Sequence, residues 1–193
     1  MNVINTESAL DKLKSGLPII FQTDTLPAIG CLPEFSDIIY EIKKRDMKKP
    51  LILMGAENEL LLDYVHESAK EDYENLAAKY WPGALTMIIP VAENKKSTLT
   101  SKNCTLGLRI PNSHIAQSLI RETGPLLTSS ANISGIQGSI TAEGISLDLP
   151  NVDILGPLPW ERCSGKASTI ISWVKYGDWN LVRKGQVSIN GFY

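Results

Sequence analysis

The feature that most constrains the fold is the alternation of short apolar runs with longer amphipathic segments along the chain. Short runs rich in Ile, Leu and Val are typical of buried strands, and apolar residues spaced three or four apart are typical of helices. The alternation is not strict, because some predicted strands follow one another after only a short link. The pattern therefore predicts an α/β domain with one twisted mixed sheet flanked by helices, and not an ideal doubly wound fold.

The predicted elements follow from this pattern and from the turn residues between them. Thr6 is expected to cap the first helix and Gly16 to end it. We predict helices over residues 6–15, 33–44, 57–80 (one or two helices), 113–122 and 142–147. We predict strands over residues 17–21, the apolar end of 22–31, 51–54, 85–91, 105–110, 125–128, 152–155, 168–174 and 179–182.

Size and charge limit the classes of protein that this chain can belong to. A length of 193 residues with 43% apolar content predicts a single domain over residues 1–193 with a sizeable core. The net charge of −2 argues against a wholly basic nucleic-acid binder, although a local basic patch is compatible with it. No stretch approaches the roughly 18 apolar residues of a membrane span, and residues 1–16 contain no apolar signal region.

The cysteines and histidines give no sign of a disulfide framework or a zinc site. Cys31, Cys104 and Cys163 are odd in number, widely spaced and without a CxxC pair, which favours a reducing, cytoplasmic location. His66 and His114 lie in different segments, and we assign them no role. The segment SGKAST at 164–169 does not fit the phosphate-loop pattern, and no catalytic triad can be assembled. The chemistry expected is therefore positioning and charge stabilisation.

A basic cluster lies between residues 43 and 49, where the sequence is KKRDMKK. Because residues two apart do not share a helix face, Lys43 and Arg45 can meet one ligand only if the helix ends near Lys43. Arginine and lysine together suit a polyphosphate. The alternative is a solvated helix end, where cations are favourable near the carboxyl terminus.

Three polar segments are candidates for the same site. Ser130 and Asn132 follow an apolar strand and lie on one side if the extended conformation continues; the alternative is a capped turn. The segment 23–25, Thr-Asp-Thr, could hold a small polar substrate or magnesium, or form a plain turn. Alternation in the strand at 105–110 places Thr105 and Arg109 on one face. Such an arginine predicts an anion site or a structural ion pair.

Taken together, these segments resemble the YrdC-like family of threonylcarbamoyl-AMP synthases over residues 7–187. The resemblance rests on six segments in the same order as in that family: FQTDTLPAIG, KKRDMKKPLIL, YWPGALTMIIP, LGLRIPNSH, TSSANISG and the pair ASTIISW with LVRKG. It implies a twisted α/β sheet with a concave, positively charged surface. It also implies a nucleotidyltransferase that converts L-threonine, bicarbonate and ATP into threonylcarbamoyl-AMP and pyrophosphate, with Mg²⁺ accompanying ATP.

The resemblance assigns roles to ten residues of this chain. It implies a catalytic tetrad of Lys43, Arg45, Ser130 and Asn132. It implies ATP contacts by Arg45, Lys49, Thr105, Asn132 and Arg183. It implies L-threonine contacts by Thr25, Arg109, Ser130 and Ser168. Four positions depart from the family pattern: Gln22, Pro27, Ala28 and Met54, where the family often has Pro, Tyr, Gly and His.

The resemblance also implies partners. The product would feed proteins that transfer the threonylcarbamoyl group to tRNA, and some family members contact tRNA or double-stranded RNA. The alternative function is therefore an RNA-binding or ribosome-maturation module without catalytic activity. A third is the carbamoyl-transfer domain of hydrogenase-maturation proteins. We expect Lys43→Ala and Arg45→Ala to remove activity without unfolding the protein, because both side chains are expected to be solvent-accessible.

Overall fold

A computed structural model describes residues 1–95, 104–161 and 163–189. Within these ranges, one sheet contains ten strands in the order β1-β8-β2-β3-β7-β4-β6-β5-β9-β10. The strands are β1 (Val3–Ile4), β2 (Ile19–Phe21), β3 (Ala28–Cys31), β4 (Ile52–Met54), β5 (Leu85–Pro90), β6 (Thr105–Arg109), β7 (Leu126–Ser130), β8 (Asp153–Leu155), β9 (Thr169–Lys175) and β10 (Asp178–Arg183). The helices are α1 (Thr6–Lys14), α2 (Asp37–Lys43), α3 (Asn58–Leu62), α4 (Lys70–Tyr80), α5 (His114–Thr123) and α6 (Ala142–Asp148).

The sheet is mixed, as the sequence predicts. The pairs β1–β8, β8–β2, β4–β6 and β5–β9 are parallel. The pairs β2–β3, β3–β7, β7–β4, β6–β5 and β9–β10 are antiparallel. Short links account for the antiparallel hairpins, whereas the parallel pairs need longer crossovers. The prediction of an α/β domain with one mixed sheet is confirmed.

Helices cover the two faces of the sheet unequally. On one face, α2, α3, α4 and α6 pack against apolar residues of the central strands, and buried Ile39, Leu61, Tyr73 and Ile145 belong to this core. On the other face, α1 and α5 are the helices of the described ranges that contribute to a smaller buried cluster around Phe21. On the same face, strand residues beside that cluster, together with its members Ala28 and Met54, line an open cavity.

Two details of the amino-terminal segment differ from the prediction. Asn5, and not Thr6, caps α1, because the Asn5 side chain accepts a hydrogen bond from the Ser8 amide at 2.9 Å. The edge strand β1 was not predicted, since Val3–Ile4 is too short to show any periodicity. Its place beside β8 depends on a partner about 150 residues later in the chain.

None of the helices in the described ranges is long and apolar enough to cross a membrane.

Candidate functional site

A cavity of about 310 Å³ opens on the sheet face that carries α1 and α5. Strands β3, β7, β4, β6, β5, β9 and β10 all contribute side chains to it. Alternate residues of a strand point to one face, so Thr105, Gly107 and Arg109 all lie on this side, as their spacing predicts. Small residues at several of these positions leave the space that larger side chains would fill.

Seven of the ten predicted site residues line this cavity. They are Thr25, Arg45, Thr105, Arg109, Ser130, Ser168 and Arg183. Asn132 lies just behind the cavity wall, bonded to Ser130. Lys43 is buried beneath the same turn, and Lys49 is exposed on a neighbouring loop.

Two alternatives were predicted for Arg109, an anion site and a structural ion pair. Arg109 forms an ion pair with Asp24 and also lines the cavity, so the two are compatible. Arg109 is 3% exposed, and it donates from Nε to the Gly83 carbonyl at 3.0 Å and from Nη1 to Thr25 Oγ1 at 2.8 Å. Its Nη2 pairs with Asp24 Oδ1 at 2.6 Å. Burial lowers the pKa of Arg109, and the Asp24 carboxylate opposes that shift. Two of its five N–H groups have no partner among the described residues, so they are free to bind a ligand in the cavity.

The turn at 23–25 is fixed from several directions. Thr23 Oγ1 donates to the Leu26 carbonyl at 2.7 Å, and Asp24 Oδ1 also accepts from the Asn112 amide at 3.1 Å. The amides of Ser164 and Gly165 donate to the Asp24 and Thr25 carbonyls. Asp24, predicted only as a possible substrate or magnesium ligand, instead holds the Arg109 guanidinium in place.

The expected solvent accessibility of Lys43 is wrong. Its side chain is 1% exposed, and Nζ donates to the Ser130 carbonyl, the Asn132 carbonyl and Asn132 Oδ1. Burial first, and the charge of Arg45 second, lower the pKa of Lys43 to about 8. The ammonium is buried because the end of α2 lies directly beneath the turn at 130–132. There the two carbonyl oxygens and Asn132 Oδ1 replace the water molecules that would otherwise solvate the charge.

Helix α2 ends at Lys43, which is the condition that the sequence set for Lys43 and Arg45 to meet one ligand. Of the two residues, Arg45 lines the cavity. Lys44 adopts a left-handed conformation with φ of 50°, which turns the chain into the loop before β4. Arg45 is half-buried and donates from Nε to the Lys49 carbonyl and from Nη2 to the Pro50 carbonyl, at 3.1 and 3.0 Å. Its guanidinium thereby closes the loop while facing the cavity.

Ser130 and Asn132 are hydrogen-bonded to each other, but the chain bends after Ser130, so the predicted alternative of a turn is correct and a continued strand is not. Ser130 Oγ donates to Asn132 Oδ1 at 2.5 Å, and the Asn132 amide nitrogen Nδ2 donates to the carbonyls of Ile133 and Ile136. One further hydrogen bond follows the last residue of β7, from the Ala131 amide to the Pro27 carbonyl at 2.8 Å, and the Asn132 amide then donates back to the Ser130 carbonyl. Asn132 therefore orders the turn, and Ser130 is the member of the pair that faces the cavity.

Thr86 is a cavity residue that the motifs did not single out. Its hydroxyl lies 2.8 Å from Ser168 Oγ, and both residues are buried. Arg183 donates from Nε and Nη2 to the Ser168 carbonyl at 3.1 and 3.0 Å. A signal existed in the sequence, since Thr86 is the only hydroxyl-bearing residue of β5.

The cavity is built for an anion. Among the described residues, its charged lining side chains are three arginines, and no Cys, His, Asp or Glu lines it. The same part of the chain contains no group of three or more His, Cys, Asp or Glu side chains that could hold a metal ion. Hydroxyls, backbone amides and guanidinium groups can bind carboxylate and phosphate oxygens. The described lining contains no His, Asp or Glu that would activate one of its hydroxyls as a nucleophile.

Comparison with known proteins identifies the family. The family model Sua5_yciO_yrdC, described as "Telomere recombination", matches residues 11–185. Threonylcarbamoyl-AMP synthase of Vibrio parahaemolyticus is 31% identical over 151 residues, which cover 75% of this chain and 81% of that protein.

Solved structures share the fold. The structure of P. abyssi Sua5 complexed with L-threonine superposes with a TM-score of 0.85 at 28% identity and covers 96% of this chain. This chain spans 58% of the length of that protein. E. coli YciO superposes with a TM-score of 0.80 at 23% identity and covers 100% of this chain and 98% of its own. The chain therefore belongs to the Sua5–YciO–YrdC family, and curated relatives that it matches above 30% identity are threonylcarbamoyl-AMP synthases.

Proposed function

We propose that this protein is a nucleotidyltransferase that makes L-threonylcarbamoyl-AMP from L-threonine, bicarbonate or CO₂, and ATP, with release of pyrophosphate. The observation that supports it best is one cavity whose described lining combines three arginines and several hydroxyls with no His, Asp, Glu or Cys side chain. A reaction between two anionic substrates needs such an environment. The names of its relatives support the same assignment.

The arrangement of the cavity suggests how it is divided between the substrates. We assign ATP to the side of Arg45, Thr105 and Arg183, with exposed Lys49 as a further contact. Asn132, which the resemblance also gives as an ATP contact, lies behind the cavity wall and acts by ordering the turn beside Ser130. We assign L-threonine to Thr25, Arg109 and Ser168, where two free N–H groups of Arg109 suit a carboxylate. Ser130 lies between the two groups. Lys43 acts from beneath by holding the carbonyls of the 130–132 turn.

The mechanism needs no nucleophile from the protein. The threonine amine adds to CO₂, forms an N–C bond and loses a proton to give a carbamate. A carbamate oxygen then attacks the α-phosphorus, and the bond between the α-phosphorus and the bridging oxygen breaks to release pyrophosphate. Arg45, Arg109 and Arg183 reduce the repulsion between the anions and stabilise the charge that develops on phosphate.

Magnesium enters this proposal as part of the MgATP substrate. The described residues contain no group of three or more His, Cys, Asp or Glu side chains that could hold a metal ion, and the Asp24 carboxylate is already engaged by Arg109 and the Asn112 amide. The triphosphate would therefore carry the ion, whose charge would offset that of the phosphates during transfer.

The test is a pyrophosphate-release assay with purified protein. Release should require L-threonine, bicarbonate and MgATP together, and the product should have the mass of threonylcarbamoyl-AMP. Arg45→Ala should lower the rate by at least tenfold, since one charge-stabilising donor is typically worth about 10²–10³ in rate. Turnover that persists without threonine would contradict the proposal.

A second candidate function, RNA binding, is favoured by one observation. Lys44, Lys48 and Lys49 are all exposed on the loop beside Arg45. With about three phosphate contacts, RNA affinity should fall roughly 40-fold between 50 and 200 mM salt. A triple Lys→Gln variant of these residues should remove that salt-dependent binding. Such a contact would suit delivery of the product to tRNA-modifying transfer proteins, and binding without pyrophosphate release would favour the non-catalytic module.

A further inference from the structure

The buried pair of Thr86 and Ser168 has a role that the proposed substrate contacts leave open. Thr86 is 0% exposed and Ser168 is 3% exposed, yet both lie on the cavity wall. Their hydroxyl oxygens are 2.8 Å apart, and either could be the donor. The direction of this hydrogen bond decides what Ser168 presents to a ligand.

The remaining partners determine that direction. The Thr86 hydroxyl has Ser168 Oγ as its only hydrogen-bond partner among the described residues. A buried hydroxyl that does not donate loses a hydrogen bond that water would otherwise provide. Thr86 therefore donates, and Ser168 Oγ accepts.

A second donor reinforces this arrangement. Arg183 Nη2 donates to Ser168 Oγ at 3.2 Å, so the serine oxygen accepts two hydrogen bonds. A hydroxyl has two acceptor sites and one hydrogen. With both acceptor sites occupied, the Ser168 hydrogen has no acceptor within the described part of the protein and remains available to the cavity.

We propose that Thr86 is a positioning residue that commits the Ser168 hydroxyl to donate its hydrogen bond to an anionic oxygen of the bound amino acid. The inference rests on the proposed function and deepens it, because it states the polarity of the group that Ser168 recognises. An acceptor such as a carboxylate fits this site, whereas the ammonium group of the amino acid does not.

The test compares Thr86→Val, which removes the hydroxyl at nearly equal volume, with Thr86→Ser, which keeps it. Thr86→Val should raise the KM and the Kd for L-threonine roughly tenfold, with the Kd for ATP nearly unchanged, because one hydrogen bond to a charged group is affected. Thr86→Ser should restore most of the affinity. Thr123→Val, which removes a hydroxyl bonded to the Leu119 carbonyl in α5, is the matched control and should leave both affinities unchanged.

A double-mutant cycle separates positioning from a structural effect. If Thr86 acts through Ser168, Thr86→Val should weaken threonine binding no further in a Ser168→Ala background. Additive losses, or equal losses for threonine and ATP, would overturn the inference.

Calorimetric binding keeps this test separate from the proposed function. If the wild type binds threonine but releases no pyrophosphate, the proposed function is contradicted. The inference is then still decided by the threonine Kd values of the Thr86→Val, Thr86→Ser and Ser168→Ala variants. Absence of threonine binding in the wild type would overturn the inference itself.

Discussion

At the scale of single residues, Lys43 connects the end of α2 to the turn that carries Ser130. Its ammonium donates to two carbonyls and one amide oxygen in a place that water does not reach. A buried cation is costly unless such oxygens surround it, and unpaired buried carbonyls are costly without the cation. The lysine and the turn therefore stabilise each other, and the position of Ser130 depends on both.

We predict that Lys43→Met lowers stability as well as activity. Methionine fills similar space but leaves the Ser130 and Asn132 carbonyls without a donor, which should cost about 2 kcal/mol. The thermal midpoint should then fall by roughly 4–8 °C. Differential scanning calorimetry and the pyrophosphate assay measure the two effects.

Lys44→Gln is the matched control for this substitution, because Lys44 is adjacent but exposed. It should change the free energy of unfolding by less than about 0.5 kcal/mol. Full stability of Lys43→Met together with lost activity would show that Lys43 contacts substrate and does not support the turn.

At the scale of secondary-structure elements, two glycines illustrate how closely the strands are packed. A Cβ at Gly185 would lie 2.3 Å from the Ser168 carbonyl carbon and 2.4 Å from the Thr169 nitrogen. A Cβ at Gly107 would have as its nearest neighbours side-chain carbons of Ile52 and Thr86, both at an ordinary contact distance of 3.5 Å. The first glycine lets the segment after β10 cross the start of β9, and the second leaves space in the cavity.

We predict opposite phenotypes for the two alanine variants. Gly185→Ala should lower stability by about 3 kcal/mol, since backbone atoms cannot yield as a flexible side chain can. Gly107→Ala should keep stability within about 1 kcal/mol but weaken ligand binding, because its methyl group occupies the cavity. Urea unfolding and ATP and threonine titrations distinguish the two. A stable Gly185→Ala protein, or unchanged affinities for Gly107→Ala, would contradict the assignments.

The sequence predicts elements better than it predicts contacts between them. Alternation alone places Thr105 and Arg109 on one face of β6, because the two-residue period of a strand is a local property. The burial of Lys43 depends on carbonyls that lie 87 and 89 residues away in the chain. The bond between Thr86 and Ser168 spans 82 residues. The composition of residues 43–49 indicates a basic surface. Only the distant hydrogen-bond partners of Lys43 show that one of these charges, the Lys43 ammonium, is buried.

At the scale of the whole molecule, the order of strands in the sheet interleaves distant parts of the chain. The late strand β8 lies between β1 and β2, whereas β9 lies beside β5 near the opposite edge. Strand β7 joins β3 to β4 at the centre. No continuous stretch of the described chain can leave the sheet without exposing buried faces of strands from elsewhere in the sequence.

We therefore predict one cooperative unfolding transition. Three of the four tryptophans, Trp81, Trp173 and Trp179, lie in or next to β5, β9 and β10, whereas Trp160 donates to the Leu155 carbonyl of β8 near the opposite edge. In a Trp160→Phe variant, fluorescence therefore reports on the end of the sheet that contains β9 and β10, whereas far-UV circular dichroism reports on helices on both faces. If the described sheet unfolds as a unit, urea curves from the two probes coincide in midpoint and slope. A fluorescence transition at lower urea than the circular dichroism transition would show that β9 and β10 separate first, and the cavity would then lose Ser168 and Arg183 before the rest of the fold.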